Sequence, residues 1–494
     1  MTGAPVDNQV VVIGAGLAGI AVSIRLRKLG YQVIVLEKNE TYGGKLAEFS
    51  ASGFRWDKGP SLFTSPELVD ELFELWGKNP RDYFNYIRHE ASCTYYFTDL
   101  SSIHFSGSPE KLKTELSEKL NSETAHKAIT YLERSKETYR RIGDFFTDNP
   151  QVGLKDVFRK ELIMRYPHFL TSKLRKTLHQ YNLAQLKDPK LVQIFDRFGT
   201  YNGSNPFKMS GLYSMIPHLE QNTGTFFPEN GMRAIVDCLY KLAVESGVEF
   251  RFDQFFQEIL PVRTKYMVQS SGEIIEADRL ICAIDHLPFY LDLLKDDSLY
   301  NRYVKHERSS SGLVFYWGIK ECIPQLGLHN ILFSTDYRME FEQIFKLKKV
   351  PDDPTIYLHV SAVLNSADAP AGGQNLFVMI NTPAGIIPTE TEVERIRQSI
   401  FERIKKQFDV DLQPLIVVDE MWNSKGIEEQ TGSFMGALYG ASSNGKVAAL
   451  KRHGNASKKY PNLYFCGGTV HPGGGIPLVL KSAKIVARLI ENEQ

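Results

Sequence analysis

The chain has 494 residues, enough for one large composite fold or two to three domains. Apolar residues make up 43% of it, while Lys+Arg and Asp+Glu both number 58, so a substantial core is expected and no global field favours nucleic acid. Cys93, Cys238, Cys282, Cys322 and Cys466 are scattered, odd in number and form no Cys-x-x-Cys pair, which argues against a disulfide framework or zinc site and for a reducing, cytosolic compartment.

The first apolar run, Val10 to Ile24, is broken by glycines, ends at Arg25 and lacks a basic segment before it. It is too short to span a bilayer and reads as strand–turn–helix. Val10–Ile13 is a β-branched run suited to a buried parallel strand, and Leu17 to Leu29 follows with helical apolar spacing. Gly30 suits the position just past a helix end, and Gln32–Leu36 reads as the second strand, closing at Glu37. Residues 109–200 are mostly helical in pattern. From Phe227 the α/β character returns: a helix over Gly231 to Val244, a strand over Val248–Phe252, short alternating segments at Phe256–Pro261, Tyr266–Gln269 and Glu273–Glu276, and an apolar strand, Leu280–Ile284. Residues 290–455 mix strands and helices around a turn-rich Ala367–Gln374 stretch. The end is α/β again, with strand Leu463–Cys466, a glycine loop, and a helix from Ile476. No other stretch approaches the length of a spanning helix, so any membrane contact is expected to be peripheral.

Gly14-Ala15-Gly16-Leu17-Ala18-Gly19 sits between strand and helix, where glycines permit a tight turn and close approach of a pyrophosphate to the helix N-terminus. Glu37, about 20 residues on, can accept ribose hydroxyls. Gly43-Gly44-Lys45 offers backbone N–H groups and a point charge for a second phosphate contact, or a plain surface turn. Gly59-Pro60 in isolation predicts only a turn, although it would also suit a chain lying close beneath a flat ring. Near the C-terminus, Phe465-Cys466-Gly467-Gly468-Thr469-Val470-His471-Pro472-Gly473-Gly474-Gly475-Ile476-Pro477 runs from a strand through glycines into a helix whose positive end would face a flavin's pyrimidine edge.

The C-terminal segment, Tyr201-Asn202-Gly203-Ser204-Asn205-Pro206, and Phe227-Pro228-Glu229-Asn230-Gly231-Met232-Arg233-Ala234-Ile235 together resemble the bacterial phytoene-desaturase-type carotenoid desaturases along essentially the whole chain. Within that family the chain is most similar to the branch acting on hydroxylated or monocyclic carotenoids at the C-3,4 position. One departure is Val470, inserted where many members run from Thr directly to His. The resemblance implies a composite α/β (α+β) fold: a Rossmann-like FAD-binding domain (1–90, 225–290, 456–494) interrupted by a mixed sheet-and-helix substrate domain. That substrate domain comprises 91–224, with a helical membrane-associating insert, and 291–455. It further implies one FAD, held by Gly14, Gly16, Leu17, Ala18, Gly19, Glu37, Lys38, Gly44, Lys45, Gly59, Pro60, Ser61, Leu62, Phe256, Asp285, Gly467, Gly468, Gly475, Ile476 and Pro477. Phe256 matches a position whose backbone meets the adenine; Asp285 could equally be a helix N-cap.

Lys155, Arg159, Lys160, Arg165, Lys173, Arg175 and Lys176 are interleaved with bulky apolar residues, which fits either peripheral docking on an anionic membrane or a helix pair packed inside the protein. Asp156 and Arg159 resemble an acid–base pair proposed in the family, although i and i+3 on a helix also make a surface ion pair. No metal-ligand spacing or Ser-His-Asp order is evident. Phytoene desaturation, carotenoid isomerisation, amine oxidation and non-enzymatic prenyl-carrier binding stand as alternative functions, and the sequence sets no oligomeric state.

Overall fold

The computed structural model describes residues 8–150, 173, 175–446 and 448–493. The first strand, β1 (Gln9–Ile13), runs into α1 (Leu17–Lys28) and returns as β2 (Gln32–Leu36). A five-stranded parallel sheet forms in the order Leu463–Phe465, Arg279–Cys282, β1, β2, Glu249–Arg251. Three distant stretches of chain therefore share one sheet. The alternation of β1 explains why both faces are covered. Val10 and Val12 pack with α1 and the helices Ala234–Glu245 and Ile476–Glu491, whereas Val11 and Ile13 pack with Ile259, Tyr266 and Val268. The latter belong to a three-stranded antiparallel sheet, Phe256–Val262, Lys265–Ser270 and Glu273–Ala277.

The second body is a seven-stranded sheet in the order Ile416–Trp422, Ser311–Ile319, Gln374–Thr382, Ile356–His359, His329–Leu332, Ala91–Tyr96, Ser102–Ser106. Its pairs are antiparallel except His329–Leu332 with Ala91–Tyr96. One face buries Leu313, Phe315 and Trp317 under the helix Glu390–Phe408 through Ile396, Ile400 and Ile404. The opposite face, with Val314, Tyr316 and Phe377, receives Phe54 and Trp56 from the hairpin Glu48–Ala51/Phe54–Asp57. The fit is close, because a Cβ at Gly318 would lie 2.8 Å from the Phe54 ring. Helices Pro109–Lys119, Ser122–Asp148, Leu178–Leu186 and Pro189–Asp196 pack beside Tyr95 and Phe105 at the sheet's far edge. Among the described residues no helix is long and apolar enough to cross a membrane.

Two boundaries differ from the sequence reading for identifiable reasons. The helix expected from Gly231 begins at Ala234, because Gly231 turns at φ +80°. The N–H groups of Met232 and Arg233 are instead taken by the Asp57 carboxylate at 3.0 and 3.2 Å. The strand expected to reach Ile284 stops at Cys282, and the Ile284 side chain then packs against the glycine turn, 2.7 Å from where a Gly14 Cβ would stand. Of the basic stretch 155–176, only Lys173, Arg175 and Lys176 lie among the described residues. Arg175 and Lys176 are exposed, but Lys173 is not part of a charged outer face. It is buried, donates to the Thr138 hydroxyl at 2.7 Å and rests over the Tyr181 ring, and burial pushes its ammonium down to about 8.

Candidate functional site

The carboxyl ends of the parallel strands converge on a glycine-lined edge. Gly14 adopts φ +105° and donates to the Leu36 carbonyl at 2.8 Å, which locks the turn between β1 and β2. A Cβ at Gly19 would stand 1.9 Å from the Gly14 carbonyl oxygen, so α1 can seat on the turn only with glycine there. Gly16 is different. It begins α1 with φ −76°, no side chain caps the helix, and a Cβ placed on it would meet nothing within 4 Å. The uncapped N–H groups of Leu17, Ala18 and Gly19 thus open over a cradle that glycine leaves clear.

Other segments complete the edge. Gly43 donates to the Ala15 carbonyl at 2.9 Å, and a Gly44 Cβ would lie 3.3 Å from the Gly16 Cα. Gly467, at φ +118°, lies against Ala18, and Gly468 abuts Gly474. Gly475, at φ +100°, starts the helix Ile476–Glu491, which has Pro477 in its first turn and no capping side chain, while Ile476 is buried. Two uncapped helix ends and a clear glycine cradle fit a dinucleotide carrying a flavin. The extra residue Val470 is accommodated by burial: its side chain enters the core with Leu280, Leu463 and Phe465, leaving the glycines at the edge.

Glu37 directly follows β2, and its carboxylate accepts from the Ala15 N–H at 2.8 Å and from Asn39 at 3.0 and 2.8 Å. It therefore braces the glycine turn. The Gln254 N–H donates to the Glu37 carbonyl at 2.9 Å, which brings the approach to Phe256 alongside; Phe256 itself pairs with Ser270 and packs half-buried in the core.

Two lysines expected near the cofactor each have a backbone carbonyl partner. Lys38 donates to the Glu429 carbonyl at 3.1 Å, tying the end of β2 to the helix Ser424–Thr431. Lys45 donates to the Leu438 carbonyl at 2.7 Å and lies near Asp285 and Arg308; burial outweighs the pull of Asp285 and brings its ammonium down to about 8. Asp285 caps the short helix His286–Pro288 through the Leu287 N–H at 3.1 Å and also binds Arg308 at 2.7 Å. Asp156 and Arg159 lie outside the described residues.

Gly59 is pressed on Lys45, where a Cβ would meet the Lys45 carbonyl at 1.8 Å. From it Pro60, Ser61 and Leu62 run half-buried, and the Ser61 hydroxyl meets the Tyr357 hydroxyl at 2.6 Å, which in turn meets His329 Nδ1 at 2.8 Å. Next to Tyr357 lies a buried charged group: Arg197 donates to Glu220 at 3.1 Å and to the Tyr95 hydroxyl at 2.7 Å, and Tyr201 also donates to Glu220. Tyr201 leads to Gly203, whose absent Cβ makes room for the Tyr439 ring at 2.9 Å, and Tyr439 follows Leu438, the acceptor for Lys45. These contacts close into a ring. Burial raises the phenols of Tyr201, Tyr357 and Tyr439 and lowers Lys45, and all four remain partly accessible. The Tyr439 ring would also be 2.6 Å from a Gly474 Cβ, which sets it against the glycine loop. Arg308, Tyr439 and Arg452 were not found from sequence. Arg452 clamps the Tyr439 and Gly468 carbonyls at 3.0 and 3.4 Å, and these isolated residues carry no local pattern that marks them.

Comparison with known proteins agrees with this geometry. Residues 17–491 match the family model described as flavin containing amine oxidoreductase. The chain is 42% identical to a 1-hydroxycarotenoid 3,4-desaturase from a Flavobacterium species, over 98% of this chain and 99% of that one. It is 31% identical to a 4,4'-diapolycopene oxygenase from a Methylomonas species, over 97% of each. Among solved structures, an oxidoreductase from Methanosarcina mazei superposes with a TM-score of 0.62 at 17% identity, covering 98% of this chain and 100% of that one.

Proposed function

Since the chain belongs to the flavin containing amine oxidoreductase family, we propose that it is an FAD-dependent carotenoid desaturase that introduces a C-3,4 double bond into a hydroxylated or monocyclic carotenoid. The observation that carries this reading is the 42% identity, extending over 98% of the chain, to a relative named for that reaction. Desaturation removes a hydride and a proton from adjacent carbons, and FAD supplies the hydride acceptor. The glycines of the parallel-sheet edge, with the uncapped helix ends at Leu17 and Ile476, would hold the cofactor's phosphates and its flavin end. Glu37 would take the ribose, and Gly59 to Leu62 would support the ring. Gly467 and Gly468 shape the loop beside it. Tyr201, Tyr357 and Tyr439, which the fold gathers beside the glycine loop, would orient the polyene and exclude water, which is most of what the protein must supply to such a reaction.

The substrate is insoluble in water, so it has to be drawn from a membrane. We assign that contact to the basic, aromatic-rich stretch 155–176, acting peripherally, with Arg175 and Lys176 exposed and Lys173 turned inward. In domain terms, 1–90, 225–290 and 456–494 serve the cofactor and the remaining segments serve the substrate.

The test is incubation of the flavin-loaded protein with phytoene, γ-carotene and a 1-hydroxycarotenoid, with an electron acceptor present and product spectra recorded. The expected result is a longer-wavelength product from the hydroxylated or monocyclic substrate. Multistep conversion of phytoene with the hydroxycarotenoid untouched would transfer the protein to the phytoene-desaturase branch. No reaction with any of the three would overturn the carotenoid assignment.

A further inference from the structure

Resting on the assignment of FAD, we infer that His471 and Lys481 position the flavin loop against the end of the helix Ser122–Asp148, and that this joint couples cofactor occupancy to the helices packed beside the seven-stranded sheet. The loop 467–475 is rich in glycine, so its backbone is permissive and has to be fixed by the side chains it does carry. Three of them leave in different directions. Thr469 meets His286 Nδ1 at 3.4 Å, Val470 enters the core, and His471 Nε2 donates to the Asn149 carbonyl at 3.0 Å. The His471 backbone is held as firmly. Its N–H donates to the His453 carbonyl at 2.8 Å, and its carbonyl accepts from Asn455 at 2.8 Å and from Ser482 at 2.9 Å. Ser482 also accepts from the Gly467 N–H at 3.1 Å, so one hydroxyl ties the start of the loop to its middle. A shift of His471 is thus carried back to Gly467.

The helix end needs what this segment provides. Ser122–Asp148 has no basic residue in its last turn, and Asn149 leaves it in an extended conformation rather than through a glycine turn. Carbonyls at a helix C-terminus lack partners within the helix and favour positive charge. Asn149 covers one of them, donating its own amide to the Phe145 carbonyl at 3.0 Å. The rest of the cap comes from 322 and 334 residues away. His471 bonds the Asn149 carbonyl and lies close to that of Phe146; burial pushes its imidazole down to about 4, so at neutral pH it is an uncharged donor. The Lys481 ammonium reaches the Thr147 hydroxyl at 2.8 Å and the Asp148 carboxylate at 2.9 Å. Both stand on the segment assigned to the flavin end, His471 in the loop and Lys481 in the second turn of the helix Ile476–Glu491. Thr147 and His471 are buried, so water does not replace these bonds freely. Linkage makes the effect reciprocal: if FAD orders the loop it also steadies the helix end, and a disturbed helix end weakens FAD.

The test uses the full chain freed of flavin and titrated with FAD, with Kd read from flavin fluorescence and amide hydrogen exchange followed over 142–150. In wild type, FAD is expected to slow exchange in that segment. His471→Leu should raise the Kd about fivefold or more, on the order of one buried hydrogen bond, and abolish the slowing at saturating FAD. His471→Gln, which returns an N–H near the position of Nε2, should recover most of both. Thr147→Val combined with Asp148→Asn removes two partners of Lys481 without altering the flavin loop. It should also raise the Kd, and it serves if His471→Leu does not fold. A purely structural contact lowers the stability of flavin-free and flavin-loaded protein alike. An unchanged Kd in either folded variant, or exchange over 142–150 that ignores FAD in wild type, would therefore overturn the inference. Wild type that takes up no FAD would overturn it together with the cofactor assignment.

Discussion

Gly16 and Gly19 occupy one turn of α1 but answer to different demands. A side chain at Gly19 would strike the Gly14 carbonyl, whereas one at Gly16 would project into open space from an extended backbone that valine adopts readily. Gly16→Val should therefore fold and fail to retain FAD, whereas Gly19→Val should lose about 3 kcal/mol of stability or more through overpacking. Circular dichroism together with the flavin-to-protein absorbance ratio separates the two, and full flavin occupancy in Gly16→Val would refute the cradle.

Glu340 offers a pH test away from the cofactor. Buried with one carboxylate oxygen unpaired and the other accepting from Thr355 and Ser334 at 2.7 and 2.8 Å, it is pushed from 4.5 up to about 7. Between those values the folded protein holds a proton that the unfolded chain has released. Glu340 thus favours folding most fully below the unfolded value and loses that contribution as pH rises through 7. Glu340→Gln should exceed wild type in stability at about pH 8, by up to about 3 kcal/mol, and lose the advantage toward about pH 5. Thermal midpoints at the two pH values test this, and a pH-independent gap would contradict it.

Among the elements, the hairpin Glu48–Ala51/Phe54–Asp57 does more than its length suggests. Its aromatic face packs on the seven-stranded sheet, and its last residue, Asp57, receives the N–H groups that precede the helix Ala234–Glu245. Asp57 also pairs with Arg55 at 2.9 Å, and burial holds its carboxyl above the usual range despite that neighbour. Asp57→Ala would leave two N–H groups and part of a guanidinium unpaired inside the protein, at a cost of about 3 kcal/mol. Urea unfolding should show this loss, and a change below about 0.5 kcal/mol would mean that water replaces the carboxylate. None of this was legible in the sequence, where Asp57 lies 175 residues from Met232 and Gly231–Arg233 read as helix. By contrast β1, α1 and β2 were legible nearly to the residue, because burial on both faces of a parallel strand demands an unbroken β-branched run.

At the scale of the whole molecule, peripheral docking through 155–176 makes a salt-dependent prediction. The protein should float with anionic liposomes, less so as salt rises, because interfacial charges are screened within about 10 Å at 0.1 M. Equal recovery on neutral liposomes at high salt would remove the electrostatic part of the proposal. Since Lys173 is already occupied by Thr138 and the Tyr181 ring, Lys173→Ala should leave flotation unchanged while lowering stability. Arg175→Glu with Lys176→Glu should weaken flotation.

The sequence by itself determined the dinucleotide edge, since strand, glycine turn, helix and acidic strand end are adjacent in the chain and each follows from local sterics. The long-range resemblance in 201–206, 227–235 and 465–477 extended this to the family. Tertiary structure alone decided the partners of Lys45, Lys38 and Asp285, the inward turn of Lys173, and the ring that joins Ser61, Tyr357, Arg197, Tyr201 and Tyr439. A side chain's hydrogen-bond partner depends on which segments the sheets bring side by side, and the Lys45–Leu438 and Ser61–Tyr357 contacts span 393 and 296 residues. No local pattern of residue types encodes a meeting across that distance.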